Sequence, residues 1–259
     1  MKVHITPESK VVTNTQITCY EVDRKKRLRP GAFMDLAQEM AYLAAEAMHF
    51  GYDELATEGR AWVLSRMHFT FVDVPHWRDS VELATWHKGP YGPFYLRDFC
   101  VKTENDGKVR VLGTSSWVIL NVDSRHMVRT SEVVDMIPTS TICPDHAIAE
   151  PASKVAIPKG VEPMKVGEHK VEYSDVDLLG HTNNVKYVVW ALDAIGFEVA
   201  DGLVMKDLTI NFNHETVAGE TVSLFMFKDE GESLPTYYVE GKVEDRQVFC
   251  LKVVFREED

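Results

Sequence analysis

The sequence predicts an α+β protein made of two similar units, each with one long helix and several antiparallel strands. Three observations lead to this fold class. Twice in the chain an Asp is followed, ten residues later, by an apolar helical pattern. Each helical pattern is followed by a strictly alternating one, which is typical of a strand. A proline-containing stretch without sustained periodicity separates the two repeats.

The first repeat runs from Asp23 to a helix and then to strands. Apolar residues recur every three to four positions and predict a helix: Phe33, Met34, Leu36, Ala37, Met40, Ala41 and Ala44. The period then changes to two at Met67, Phe69 and Phe71. Alternating runs over 95–102 and 109–121 predict two more strands, because the turn-forming Asn105-Asp-Gly107 lies between them.

The second repeat runs from Asp177 through the same order of elements. Its helical pattern consists of Tyr187, Val188, Trp190, Ala191, Ala194 and Ile195, and its alternating strand of Leu208, Ile210 and Phe212. Alternating runs over 236–244 and 247–256 follow. A long helix is buried most stably when a curved antiparallel sheet wraps around it. The chain is therefore predicted to contain two tandem hotdog units.

The boundaries follow from the same patterns. Residues 1–135 are predicted to form an N-terminal hotdog unit, and residues 166–259 a C-terminal hotdog unit. Between them, residues 136–165 contain five prolines and are predicted to form an extended linker.

Composition and charge exclude several classes of protein. With 259 residues, 45% hydrophobic and 26% charged, the chain has the composition of an ordinary globular protein. The net charge of −12 argues against a general nucleic-acid binder. Residues 1–135 hold 17 Lys and Arg against 18 Asp and Glu, whereas residues 136–259 hold 11 against 22. A basic cluster in the first part is either a solvated loop or a docking patch for an acidic partner: Arg24, Lys25, Lys26, Arg27 and Arg29.

A polar cluster precedes the second predicted helix. It contains Asp177, Gly180, His181, Asn183 and Asn184 within eight residues. A general base, an orienting imidazole and helix-start N–H groups that stabilise an oxyanion are the parts that acyl hydrolysis needs. The alternative is structural: an Asn caps the helix, the Gly makes the turn and the Asp accepts bonds from loop amides.

The corresponding stretch of the first repeat keeps Asp23 but lacks the Gly, the His and both Asn residues. In the same comparison Glu215 of the second repeat matches Val74 of the first. A carboxylate at the end of a strand can activate water, although a salt bridge at the rim is the commoner role of a single Glu.

These residues carry a family resemblance. The run from Asp177 to Tyr187 resembles the DxxGHxNNxxY motif of hotdog thioesterases, and its extension through Trp190 is similar to the plant-type acyl-ACP thioesterases. The segments 62–67, 74–79, 115–118 and 210–215 also follow the order of that family, so the resemblance covers residues 10–257. It implies an enzyme that hydrolyses fatty acyl-[acyl carrier protein], releases a free fatty acid and so ends fatty acid synthesis.

By resemblance, Asp177 is the principal catalytic carboxylate, His181 its polar partner and Glu215 a second acid that holds the water. The chain departs from the plant pattern at two places, since Leu179 replaces an Asn and Thr216 replaces a Cys. A cysteine nucleophile is therefore excluded at that position, and Asn184 is a candidate substitute for the missing Asn. Asp177 either activates water or attacks the thioester directly.

The remaining expectations concern substrate, partner and location. The resemblance implies that the N-terminal unit selects the acyl chain and that the C-terminal unit is the catalytic one. Trp62, Met67 and Phe69 are candidate lining residues for the acyl chain, although ordinary core residues would give the same pattern. The basic cluster is the candidate docking site for acidic acyl carrier protein. Neither metal nor organic cofactor is expected. Four widely spaced cysteines and the lack of a signal peptide predict a cytoplasmic protein. Because the duplicated chain already supplies the pair that single hotdog domains form by dimerisation, either a monomer or a homodimer is expected.

Three other functions fit the same residues less well than acyl-ACP hydrolysis. An acyl-CoA thioesterase would use the same Asp and fold with a different carrier. A non-catalytic regulator would bind acyl thioesters without the polar cluster that this chain has kept. Hotdog dehydratases act on 3-hydroxyacyl thioesters, and the resemblance is not to them.

Overall fold

A computed structural model describes residues 1–133 and 135–258. Of the predicted ranges, residue 134 of the first and residue 259 of the last lie outside the described residues. The chain divides into two compact units. The N-terminal unit comprises residues 1–28 and 33–152, and the C-terminal unit comprises residues 29–32 and 153–259.

The N-terminal unit contains a long helix and an antiparallel sheet. The helices are α1 (Pro30–Ala47) and α2 (Tyr52–Thr57), and the strands are β1 (His4–Ile5), β2 (Val11–Gln16), β3 (Arg60–Phe71), β4 (Ser80–Tyr91), β5 (Phe94–Thr103), β6 (Val109–Asn121) and β7 (Met127–Val128). Neighbouring strands follow the order β1-β2-β4-β5-β6-β3, and β7 pairs with β6. Every strand pair of this unit is antiparallel.

The C-terminal unit repeats the design with fewer strands. Its strands are β8 (Met164–Lys170), β9 (Val204–Phe212), β10 (Thr221–Asp229), β11 (Thr236–Val243) and β12 (Arg246–Arg256), and its helices are α3 (Asn184–Ile195) and α4 (Phe197–Gly202). The sheet order is β8-β10-β11-β12-β9, with antiparallel pairing throughout. Helix α3 packs against four of these strands. The prediction of two α+β hotdog units is thereby confirmed.

Both long helices begin three residues before the first residue of their apolar pattern. Phe33 is the fourth residue of α1, and Tyr187 is the fourth residue of α3. Pro30 fits the first position of α1, because its missing N–H group would have no intrahelical partner there. Asn183 caps α3, because its side chain accepts the Val185 N–H at 2.9 Å.

The segment between the repeats is held against each unit by polar contacts. The indole of Trp86 donates to the Asp145 carbonyl, and Lys88 donates to the Ile148 carbonyl and faces Asp98 at 3.2 Å. Further along the chain, the Asn211 side chain exchanges two hydrogen bonds with the backbone of Val155. The segment also contains a short 3-10 helix over Thr139–Thr141 and a bridge between Ile142 and His87. Together these contacts satisfy backbone polar groups of a largely extended segment.

Strand β8 begins at Met164, inside the stretch predicted as linker. Its residues are mostly exposed and polar, so the sequence gives no apolar alternation there. Hydrogen bonding to β10, rather than burial, makes this segment a strand. Within residues 1–133 and 135–258, no helix has both the length and the hydropathy required to cross a bilayer.

Candidate active site

The loop before α3 is tied into a compact turn by its own backbone and by Asp177. The Asp177 N–H donates to the His181 carbonyl at 2.8 Å, and the Gly180 N–H donates to the Asp177 carbonyl at 3.1 Å. The Asp177 carboxylate accepts the N–H groups of Leu179 at 2.9 Å and His181 at 3.4 Å through Oδ1. Gly180 has a φ of 82°, which glycine adopts without strain.

The N-terminal unit contains the same turn before α1. The Asp23 N–H donates to the Arg27 carbonyl, and the Lys26 N–H donates to the Asp23 carbonyl, both at 2.9 Å. Lys26 has a φ of 67° at the position that Gly180 occupies in the second turn. The two loops therefore share one backbone conformation, and their functional difference lies in the side chains.

Those side chains make opposite electrostatic environments. In the N-terminal turn Arg27 is buried, and its Nε donates to the Asp23 carboxylate at 2.8 Å, so the acid is neutralised by a fixed cation. In the C-terminal turn His181 occupies the position of Arg27 and is partly exposed. Its Nε2 lies 3.4 Å from Glu215 Oε1. Only the C-terminal turn thus combines a solvent-accessible His with a second carboxylate.

The predicted catalytic residues are brought to one end of the C-terminal unit, with different contacts. His181 and Glu215 contact each other, Asp177 is half-buried in the turn, and Asn184 is the first residue of α3. Leu179, which replaces the Asn of the plant pattern, is half-exposed and contributes only its backbone N–H. The Asp177 carboxylate thus plays the structural role that the sequence left open, and its Oδ2 atom is the one outside these loop bonds.

The helix-start N–H groups are more occupied than the sequence suggests. The backbone N–H of Thr182 donates to the Thr216 carbonyl, and that of Asn183 donates to the Asp175 carbonyl. The backbone N–H groups of Val185 and Lys186 both donate to Asn183, the first to its side chain and the second to its carbonyl. Any of these four groups would have to break a protein hydrogen bond before it could bind an oxyanion. The expectation that the helix-start amides stabilise the oxyanion is therefore not supported for these four.

Buried hydroxyl groups connect the chain segment that carries His181 with the segment that carries Glu215. Thr216 Oγ1 lies 2.7 Å from Thr182 Oγ1 and 2.9 Å from the Tyr187 hydroxyl. All three side chains are buried, and burial raises the pKa of Tyr187, so that its hydroxyl stays protonated. Because Thr182 follows His181 and Thr216 follows Glu215, this network sets the spacing between the two catalytic candidates.

Thr216→Val is expected to destabilise the protein and to lower kcat several-fold. The substitution keeps the shape but leaves the Thr182 and Tyr187 hydroxyls without their shared partner, which costs about 1–3 kcal/mol. Chemical denaturation and steady-state kinetics measure the two effects. Thr216→Ser, which keeps the hydroxyl, is the matched control, and an equal loss in both variants would contradict the role of the hydrogen bonds.

A second set of residues supports the turn and was missed by sequence reasoning. Asp175 is buried, its Oδ2 lies 2.9 Å from His169 Nε2, and its Oδ1 lies 3.7 Å from Lys186 Nζ. Burial opposes ionisation of Asp175, but the Glu172 N–H, His169 and Lys186 together hold its pKa below the usual value. His169 also stacks on Trp190 at 4.1 Å. No local motif marks this cluster, because its members come from β8, the turn and α3.

An apolar cleft lies between α1 and strands β4 and β5 of the N-terminal unit. It is a small cleft that is partly open to solvent, and its lining residues are Phe33, Leu36, Ala37, Met40, Leu83, Ala84, Phe99, Cys100 and Val101. Of the predicted lining residues, Met67 and Phe69 are fully buried on β3, and Phe69 contacts Phe33 edge-on at 4.8 Å. Trp62 donates to the Phe50 carbonyl. Phe69 therefore adjoins the cleft, whose sheet wall comes from β4 and β5 rather than from β3.

The predicted docking cluster is only partly on the surface. Arg24, Lys26 and Arg29 are exposed and Lys25 is half-buried, whereas Arg27 is 5% exposed and bonded to Asp23. A buried ion pair with its own carboxylate is not available to a partner, so we omit Arg27 from the docking surface.

The structure adds a base to this surface. Lys26 Nζ lies 5.9 Å from the Trp77 ring centroid, and the exposed guanidinium of Arg78 stacks on the same ring at 4.1 Å. The Trp77 N–H donates to the Lys26 carbonyl, which fixes the two segments side by side. Arg78 is distant from Lys26 in sequence, so composition alone could not have identified it. Arg29 is assigned to the C-terminal unit and is therefore left out of this surface. We call Arg24, Lys25, Lys26 and Arg78 with Trp77 the basic surface.

Comparison with known proteins matches both parts of the chain to domain models of one family. Residues 8–137 match the model of the acyl-ACP thioesterase N-terminal domain, and residues 159–256 match that of the acyl-ACP thioesterase C-terminal domain. The chain therefore belongs to the acyl-ACP thioesterase family, as the motif around Asp177 and His181 predicted.

Relatives and solved structures agree with this assignment. Two chloroplastic oleoyl-acyl carrier protein thioesterases of Arabidopsis thaliana are 29% and 31% identical over 80% and 77% of this chain. The chain spans 60% and 58% of the length of these relatives. The structure of an acyl-ACP thioesterase from Bacteroides thetaiotaomicron has a TM-score of 0.85 at 24% identity, and covers 97% of this chain and 100% of that one. A 12:0-ACP thioesterase from Umbellularia californica has a TM-score of 0.88 at 20% identity, with 96% and 95% covered. These two likenesses support the fold.

Proposed function

We propose that this chain hydrolyses the thioester between a fatty acyl group and acyl carrier protein and thereby releases a free fatty acid. The observation that carries the proposal is the difference between the two turns. They share one backbone, but the N-terminal Asp23 is neutralised by buried Arg27, whereas the C-terminal turn presents Asp177 with the His181–Glu215 pair. Family membership and the names of the relatives support the same reaction.

In the proposed mechanism Asp177 takes a proton from water, which attacks the thioester carbonyl to give a tetrahedral intermediate. The C–S bond then breaks, and the proton on Asp177 passes to the leaving thiolate of the carrier, so that the free acid is released and the carboxylate is restored. Glu215 and His181, 3.4 Å apart, hold that water, and Asn184 orients the carboxylate or the substrate. Direct attack by Asp177 is the alternative route. Oxygen-18 from labelled water is expected in the Asp177 carboxylate after a single turnover only if Asp177 attacks directly.

The carrier is tested by thiol release from acyl-ACP and acyl-CoA substrates of graded chain length. Faster turnover of acyl-ACP supports the proposed carrier and gives the preferred chain length. Preference for acyl-CoA would retain the chemistry and overturn the carrier. Binding of both without cleavage would instead indicate a regulator that senses acyl thioesters.

The basic surface is proposed to dock the acidic carrier protein. Because the chain is itself acidic overall, a local positive patch is required to overcome repulsion. Lys26 and Arg78 flank the Trp77 ring and provide two fixed positive charges on one exposed face.

Lys26→Glu combined with Arg78→Glu is expected to raise KM for acyl-ACP by roughly tenfold or more, since reversed charges repel the carrier. Turnover of a short synthetic thioester without a carrier is expected to change less than twofold. Lys154→Glu with Lys159→Glu, also exposed, is the charge-matched control. Equal changes in KM for both pairs, or for both substrates, would exclude docking at the basic surface.

We also propose a cytoplasmic location and a monomeric or homodimeric state. All four cysteines are free, with Cys100, Cys143 and Cys250 buried and Cys19 exposed. Free thiols are typical of a reducing compartment. Two hotdog units in one chain supply the pair that single hotdog domains form by dimerisation.

A further inference from the structure

Two ionisable residues lie among the buried side chains on the helix-facing side of the N-terminal sheet. His87 on β4 and Arg97 on β5 are direct antiparallel neighbours and are 3% and 6% exposed. Arg97 is the next residue on its strand face after Phe99, which lines the apolar cleft, and so lies about 7 Å further along the strand. The pair therefore lies on the same face of the sheet as Phe99, beyond the residues that line the cleft.

The imidazole of His87 offers an acceptor without a partner. Burial and the neighbouring Arg97 charge lower the pKa of His87 to about 3, so the ring is neutral. The ring interacts with the Leu96 backbone, and its Nε2 atom is buried without a hydrogen-bond partner among residues 1–133 and 135–258. A neutral ring whose other nitrogen carries the proton has a lone pair at Nε2.

The guanidinium of Arg97 offers donors beyond those the protein uses. Arg97 Nη1 donates a hydrogen bond to Thr85 Oγ1 at 3.3 Å. Within residues 1–133 and 135–258, no carboxylate forms an ion pair with the Arg97 guanidinium. The adjacent Asp98 faces Lys88 and the backbone of Ala147 instead. A guanidinium carries five N–H donors, and a buried one needs acceptors.

Aromatic side chains pack around His87. The rings of Phe50 and Tyr95 lie 5.6 Å and 5.9 Å from the His87 ring, and Trp62 packs edge-on against Tyr95 at 5.3 Å. In such apolar surroundings a hydrogen bond to a ligand is stronger than in water, and an unpaired polar group is costlier.

We propose that His87 and Arg97 bind a hydroxyl group carried by the acyl chain, so that this thioesterase prefers hydroxyacyl substrates of one chain length. A hydroxyl satisfies both residues at once, because its O–H donates to His87 Nε2 and its oxygen accepts from Arg97. A plain methylene chain would leave both unsatisfied, and a carboxylate would face the lone pair of a neutral imidazole. The inference rests on the proposed function, since it assumes that the acyl chain enters the cleft.

Product binding tests the inference without requiring catalysis. Isothermal titration of the whole chain with saturated fatty acids of graded length, each beside its terminal-hydroxyl counterpart, measures selectivity for the hydroxyl. At one length we expect the hydroxy acid to bind about tenfold more tightly. His87→Phe and Arg97→Met are each expected to abolish that selectivity while retaining affinity for the plain acid. Phe99→Leu, in the cleft wall, is the control that should change both affinities equally.

Equal affinity of wild type for the two acids at every length would overturn the inference, as would selectivity that survives both substitutions. Arg97→Met guards against a folding failure of the His87 variant, because replacing a buried charge by an apolar side chain is often tolerated. Thiol release from plain acyl-ACP is measured in parallel. Hydrolysis without hydroxyl selectivity refutes only this inference, and selectivity without hydrolysis refutes only the hydrolase.

Discussion

Asp177→Asn is expected to lower kcat for acyl-ACP hydrolysis by at least about a hundredfold, because it removes the proposed general base. The amide oxygen of Asn can still accept the N–H groups of Leu179 and His181, which Asp177 Oδ1 accepts now. The turn should therefore persist, and the loss should appear in kcat rather than in the melting temperature. Thiol-release kinetics and thermal unfolding of the variant measure both.

Asp23→Asn is the matched control, since Asp23 occupies the same backbone position in the N-terminal turn. It is expected to show the opposite pattern. The substitution removes the charge that pairs with buried Arg27 and should lower the melting temperature, while kcat per folded molecule stays near wild type. Equal losses of kcat in the two variants, or wild-type kcat in Asp177→Asn, would remove Asp177 from the proposed mechanism.

Wild-type protein is expected to lose stability on acidification in a way that depends on His87. The folded state keeps His87 neutral down to about pH 3, whereas the unfolded chain protonates it below its ordinary pKa of about 6.5. The unfolded state therefore binds more protons between these values, so its free energy falls relative to the folded state as the pH decreases. The loss is about 1.4 kcal/mol per pH unit, or on the order of 3 kcal/mol by pH 4.

His87→Phe is expected to flatten this dependence. The free energy of unfolding, measured by urea titration at a series of pH values, should differ between wild type and variant by an amount that changes between pH 6.5 and 4. His126→Phe, at an exposed position, is the control and should run parallel to wild type. A constant difference between wild type and His87→Phe across that range would show that His87 is protonated in the folded state.

The sequence was most informative where periodicity and duplication reinforce each other. Phe33 and Tyr187, which were matched to each other from the sequence alone, each occupy the fourth position of their helix. Strand β6 has the predicted bounds of 109–121. Amphipathic patterns are local, so they can be read from neighbouring residues. Strand β8 was missed, because its exposed polar residues form a strand only through pairing with β10.

The candidate site, too, was predicted from the sequence only in part. The motif from Asp177 to Asn184 is continuous in sequence, and its match to Asp23 at a constant offset located both turns. The sequence likewise showed that only the second turn has a His and two Asn residues after its Asp. Both results were available from the sequence because the residue types within a short continuous segment can be read directly from it.

Tertiary structure decided which of these groups meet and which are accessible. It paired His181 with Glu215, buried Arg27 against Asp23, placed Arg78 beside Lys26, and joined His87 to Arg97 on the inner face of a sheet. Each of these outcomes depends on strand register or on contacts between segments far apart in the chain. Burial and hydrogen bonding then set the chemical state of each group, and neither can be derived from the local order of residues.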